Sequence, residues 1–137
     1  MEKADHERIA NAANRVFGSE PGVLAVYQYG SSVRGIPAAD LDLALLLETP
    51  IAPTRLEALA SRLQMEGAPG GPPIDLRTLT GSPPRFQITV LKEGRVLFER
   101  DRRQRLTHEA RIMGRWADFK PTWTRMRRRM LERWIHG

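Results

Sequence analysis

Residues 27–47, YQYGSSVRGIPAADLDLALLL, constrain this chain more than any other stretch, because two apolar runs bracket a Gly-Ser pair and an Asp-Leu-Asp. Val23 to Tyr29 is apolar, aromatic and β-branched, the composition of a buried strand. Gly30-Ser31-Ser32 interrupts it, Arg34 and Gly35 follow, and Asp40-Leu41-Asp42 leads into the second run, Leu43 to Leu47. Side chains alternate faces along a strand, so Asp40 and Asp42 aim two carboxylates at one spot where the second buried strand begins. Two close carboxylates repel, and burial makes each costlier to ionise. A divalent cation relieves both, and Mg²⁺ in particular binds few carboxylates and completes its shell with substrate phosphates. Gly30 lets a backbone approach closely. The N–H groups after it, with the Ser31 hydroxyl, can hold a phosphate at a helix N-terminus. Arg34 either neutralises phosphate charge or forms a surface ion pair. A two-metal site needs a third carboxylate, and Asp75 is the candidate, near the start of the strand-like run Ile74-Asp75-Leu76-Arg77-Thr78-Leu79.

The order G-S, short loop, D-x-D, later strand Asp resembles the nucleotidyltransferase fold of the DNA polymerase β superfamily. The small size resembles its minimal nucleotidyltransferase (MNT) branch, which includes antitoxins paired with HEPN ribonuclease toxins. Leu97-Phe98-Glu99-Arg100-Asp101 and Trp116-Ala117-Asp118-Phe119-Lys120-Pro121 are also similar to that branch. Two departures stand out: eight residues separate Ser31 from Asp40, slightly fewer than usual, and Ala39 stands where a Ser commonly precedes the first Asp.

The length of 137 residues fits one domain with a sizeable core. No apolar run approaches the ~18 residues that a membrane span requires, and the polar start Met1-Glu2-Lys3-Ala4-Asp5-His6 lacks a signal-peptide core. The chain has no cysteine, hence no disulfide framework and no thiolate metal site. A cytoplasmic protein is expected. His6, His108 and His136 are scattered without metal-ligand spacing. The net charge of +6 is unevenly distributed: residues 1–100 hold 11 Lys/Arg against 12 Asp/Glu, whereas residues 101–137 hold 11 against 4. All the excess positive charge lies in the last 37 residues.

Residues 2–17 read as a helix, with Ile9, Ala13, Val16 and Phe17 at helical spacing and Gly18 at the C′ position. Pro53 opens a second helix, whose apolar face is Leu56, Leu59, Ala60 and Leu63. Residues 66–73, EGAPGGPP, form a loop by composition, and Gly81-Ser82-Pro83-Pro84 forms another. For Phe86 to Lys92 the residues favour a strand through Ile88-Thr89-Val90, whereas the resemblance implies a short helix. Arg95 to Phe98 is expected to be an edge strand. A helix begins near Asp101, with Leu106, Ala110, Met113 and Ala117 on one face and a kink or break near Phe119-Lys120 imposed by Pro121. Beyond it, Trp123, Met126, Met130, Leu131 and Trp134 form an apolar stripe opposed by Arg125, Arg127, Arg128, Arg129 and Arg133. Three readings of that stripe stand: a helix folded onto its own domain, a protein-partner surface carried by Trp123, Met130, Trp134 and Arg127–Arg129, or a nucleic-acid contact.

The expected fold is α/β: a nucleotidyltransferase fold with a small mixed sheet, helices on one side and a C-terminal helical segment. Residues 1–100 form the α/β core and 101–137 the basic segment. The resemblance implies an Mg²⁺-dependent transfer of AMP from ATP to a hydroxyl, with Asp40, Asp42 and Asp75 holding two Mg²⁺ ions and Gly30, Ser31 and Arg34 handling the triphosphate. By the same resemblance the acceptor is a tyrosine of a HEPN toxin partner. The alternatives are an antitoxin that neutralises its partner by association alone, or a transferase acting on a small molecule of the aminoglycoside type.

Overall fold

The computed structural model describes residues 3–34 and 40–136. Gly35 and Ala39, and with them the loop geometry expected between Ser31 and Asp40, lie outside the described residues. Helix α1 (Lys3–Gly18) leads into strands β1 (Val23–Tyr29) and β2 (Leu41–Leu47). Then come α2 (Pro53–Gly67), β3 (Ile74–Thr78), α3 (Pro84–Glu93), β4 (Arg95–Glu99) and the long α4 (Arg102–His136). The four strands form one mixed sheet in the order β3-β2-β1-β4. β1 runs antiparallel to both β2 and β4, and β2 runs parallel to β3. β4 is an edge strand, as expected from the sequence.

Helices cover both faces of this sheet rather than one, which is why β1 and β2 are apolar at nearly every position. Leu41, Leu43, Leu45 and Leu47 of β2 pack with Ile9, Ala13, Val16 and Phe17 of α1 and Leu59 and Leu63 of α2. Ala44 and Leu46, with Leu24, Ala25 and Tyr27 of β1, pack on the other side against Val90 of α3 and Ile112 of α4. The two consecutive β1 residues on this second side, Leu24 and Ala25, coincide with a register shift between Val23 and Ala25. That is the local signature of a bulge.

Several expectations change on contact with the fold. Gly18 is the last residue of α1 and does not adopt a left-handed φ. The carbonyls at that helix end are met by a side chain instead. Arg100 Nη2 donates to Phe17 O (2.7 Å) and Glu20 O (2.8 Å), and its Nε donates to Val23 O (3.0 Å). Phe86 to Lys92 is helical, within α3, as the resemblance implied and against the strand preference of Ile88-Thr89-Val90. Pro121 lies inside α4 without ending it. Pro121 has no N–H to give Ala117 O, and Ala117 is exposed, so losing that bond costs the helix less here than it would in a core. Leu106, Ala110, Met113 and Ala117 do share a face of α4, but that face is exposed; among the described residues of this helix, Ile112 is the buried one. Beyond Trp123 the apolar stripe does not fold onto its own domain: Met126, Met130, Leu131, Trp134 and Ile135 are all exposed. Among the described residues, no helix is long and apolar enough to cross a membrane.

Candidate active site

The strand register brings two of the three predicted carboxylates side by side. Asp42 faces Asp75 across the parallel β2–β3 pair, and on its other side it faces Tyr29 across the antiparallel β1–β2 pair. Neighbouring strands lie about 4.8 Å apart, and in-register residues present their side chains to one face. That face is the one covered by α3 and α4, since the intervening Leu41, Leu43 and Leu76 point to the α1–α2 core. Asp40 precedes β2 and is exposed, at the border of the described residues. Its charge nevertheless reaches Asp42. Among the described residues no three acidic or imidazole groups stand as a ready-made metal cluster.

Two tethers fix this register. Leu41 N donates to Pro73 O (2.9 Å), joining the start of β2 to the residue before β3. Gln64 of α2 organises the loop that leads there: its Nε2 donates to Ala68 O (2.6 Å) and Pro72 O (3.1 Å), and its Oε1 accepts from Ile74 N (2.7 Å). The Gly/Pro-rich loop is thus pinned by one side chain, and Asp75 follows immediately.

Gly30 ends β1 with a φ of 80°, a conformation that suits glycine, and a Cβ there would lie 2.8 Å from Asp42 Oδ2. The close backbone approach expected at this position is therefore made, in this structure, to the Asp42 carboxylate. Val33 N donates back to Gly30 O (3.2 Å), so the described part of the segment is a hydrogen-bonded turn rather than a regular helix start. Beneath it, Gln28 Nε2 donates to Ser32 Oγ (3.0 Å), with both side chains buried. Ser31 is half-buried and Arg34 exposed.

Electrostatics sharpen this picture. Burial pushes the Asp42 carboxyl above its ordinary range, the nearby Asp75 and Asp40 charges push it further, and Arg77 opposes them. Tyr29, whose ring meets Phe86 edge-on at 5.4 Å, is pushed up to about 12, mainly by burial. Arg77 Nε donates to Asp75 Oδ2 at 3.1 Å. Sequence reasoning chose Arg34 as the cation of the site and passed over Arg77. The signal was present, because Arg77 stands two residues after Asp75 on one strand and must share its face. Gln28, Ser32 and Gln64 carried no such signal, since their partners are set by tertiary packing.

A hard dication suits this donor set. It consists of carboxylate oxygens, one of them on an Asp whose ionisation burial and its acidic neighbours oppose, a penalty that a dication relieves.

The polymerase β nucleotidyltransferase family model matches residues 11–103. That match runs from the second half of α1 through β4 into the start of α4 and takes in every predicted catalytic residue. The chain belongs to this family. A search of curated proteins gives no significant match. Among solved structures, the chain resembles one of a toxin–antitoxin with AMP-PNP, with a TM-score of 0.74 at 16% identity over 89% of this chain and 98% of that one. A second is a tri-AMPylated Shewanella oneidensis HEPN toxin in complex with MNT antitoxin, with a TM-score of 0.71 at 15% identity over 96% and 99% of the two chains. A third is the toxin–antitoxin MntA-HepT, with a TM-score of 0.70 at 14% identity over 95% and 99%. These likenesses establish a nucleotidyltransferase fold with a long C-terminal helix.

Proposed function

We propose that this nucleotidyltransferase-family protein transfers AMP from ATP to a hydroxyl of a partner protein, a tyrosine of a HEPN-type toxin, and thereby acts as its antitoxin. The observation that carries the proposal is the in-register placement of Asp42 and Asp75 beside the Gly30 turn. The AMP-PNP and tri-AMPylated toxin structures in the same fold support the choice of nucleotide and acceptor.

In this reading the turn after Gly30, with the Ser31 hydroxyl and Arg34, receives the triphosphate, and Asp40, Asp42 and Asp75 would hold two Mg²⁺ ions. Mg²⁺ bound there supplies charge neutralisation on the triphosphate and lowers the pKa of the attacking hydroxyl. Asp75, at the outer edge of the sheet, takes the proton of that hydroxyl. Its oxygen then bonds to the α-phosphorus, the bond to the bridging oxygen of the β-phosphate breaks, and pyrophosphate leaves. Residues 1–100 form the catalytic unit. Residues 101–137 form the recognition arm, with Trp123, Met130, Trp134 and Arg127–Arg129 on the partner.

The direct test incubates the protein with its candidate HEPN partner, α-labelled ATP and Mg²⁺. Label is expected on a partner tyrosine, dependent on Mg²⁺ and absent with Asp42→Asn. Neutralisation of the partner without ATP or label would instead make the protein a binding-only antitoxin.

A further inference from the structure

Arg77 is not accounted for by the reaction as described. It lies on β3 two residues after Asp75, on the same side of the sheet, and its Nε sits 3.1 Å from Asp75 Oδ2. Its side chain is 62% exposed, so it is held there by the carboxylate rather than by packing. Asp42 and Tyr29 feel its charge as well. A strand-borne guanidinium therefore stands among the oxygens that the proposed function gives to a divalent ion.

We propose that Arg77 is the built-in counter-cation of this site: in the metal-free protein it neutralises Asp75, and a divalent ion binding at Asp75 has to displace it. This rests on the carboxylates being a metal site. The physical argument is competition. A guanidinium and a dication both want the same carboxylate oxygens, and they repel each other at short range through a Coulomb term that water only partly screens. Arg77 thus lowers the affinity for metal alone while keeping a carboxylate-rich site stable without it. Exposure of the pair limits the ion pair's own contribution, so displacement is affordable. Because β3 is an edge strand, the released side chain can turn outward without disturbing the core.

The test measures Mn²⁺ binding to the nucleotide-free protein, by the loss of the free-ion electron paramagnetic resonance signal, in wild type, Arg77→Gln, Arg77→Lys and Asp75→Asn. Arg77→Gln is expected to tighten Mn²⁺ binding about fivefold or more, the order set by removing a unit charge a few ångström from a dication in partly screened surroundings. Arg77→Lys retains the charge and is expected to stay within about twofold of wild type, and the gap between Gln and wild type is expected to narrow as salt is raised. A folded Arg77→Gln protein with unchanged or weaker Mn²⁺ affinity overturns the inference, as does Arg77→Lys tightening as much as Arg77→Gln. If Asp75→Asn binds Mn²⁺ as well as wild type, the metal-site reading fails at Asp75 and the role of Arg77 fails with it. Carboxylate-dependent binding that ignores Arg77 leaves the metal site standing and removes only the inference.

Discussion

At Asp42, burial and two neighbouring carboxylates act in the same direction, and the consequence for stability has a definite sign. Its folded pKa lies above its ordinary value, so in the window between the two the native state keeps more of the proton than the unfolded chain does. Stability therefore falls as pH rises from the ordinary carboxylate value through the folded one, and stays lowered above it. Asp42→Asn removes that penalty. The metal-free variant is expected to melt at or slightly above wild type at neutral pH, with a flatter dependence between acid and neutral pH, as thermal melts in chelator would record. Its transfer activity should fall by more than the 10–100-fold that loss of a mere outer-shell partner typically costs. Asp40→Asn should lose activity likewise. Gly30→Ala meets a different obstacle: a Cβ would stand 2.8 Å from Asp42 Oδ2 at a φ of 80°. It is expected to lose about 1–2 kcal/mol from the left-handed backbone alone, and to displace the Asp42 carboxylate. Chemical denaturation measures the first effect and AMP transfer the second. Ser31→Ala should be milder, costing ATP binding about 1.5–3 kcal/mol, the worth of one hydrogen bond to a charged group; a variant as inactive as Asp42→Asn would give Ser31 more than a phosphate-positioning role.

Among the elements, the family-like LFERD run has a structural role that its residues explain one by one. Leu97 and Phe98 enter the core, Glu99 pairs with Arg105, Arg100 caps the end of α1, and Asp101 opens α4 by accepting Gln104 N at 3.0 Å. Asp101→Ala is accordingly expected to cost about 1 kcal/mol, the usual worth of an N-cap, read as a lowered denaturant midpoint with transfer activity intact. Strands β1 and β2 were legible from their apolar runs because both faces are buried. α3 was not legible from Ile88-Thr89-Val90 alone. Propensity differences of a few tenths of a kcal/mol per residue yield to burial of Gln87, Ile88 and Val90 and to Pro84 at the helix start. In the site, the Asp42–Asp75 pairing followed from strand alternation, whereas the Gln64 tether depends on how the following loop folds back and the Gln28–Ser32 bond on the shape of the turn after β1. The orientation of α4 was not legible for a related reason. Leu106, Ala110, Met113 and Ala117 have helical spacing, but spacing does not say which stripe meets the sheet, and the packed stripe runs through Arg105, Glu109 and Ile112.

Taken as a whole, the molecule separates its charge from its carboxylates. The proposed site has Asp42 and Asp75 on the sheet and Asp40 just before β2, and the excess positive charge sits on residues 101–137. α4 is about 52 Å long at 1.5 Å per residue. Its distal apolar residues find no cover on their own domain: Trp134 is 89% and Met130 55% exposed. Trp123 is engaged, with the Arg85 guanidinium 4.9 Å from its ring centroid. A second copy of this helix would set like charges against each other, which favours an acidic, apolar partner surface instead. Because Trp134 buries so little, Trp134→Ala should leave the unfolding free energy within about 0.5 kcal/mol of wild type. If it is an interface anchor, the same change should weaken partner binding by about 2 kcal/mol or more. Neutralising Arg127, Arg128 and Arg129 together should mainly slow association and flatten its salt dependence. Neither variant should alter ATP binding at the proposed carboxylate site. Titration of each with the partner, and separately with ATP and Mg²⁺, distinguishes the outcomes. Unchanged partner affinity in Trp134→Ala would move recognition off this stripe, and a parallel loss of ATP binding would mean that α4 and the catalytic unit are not separable.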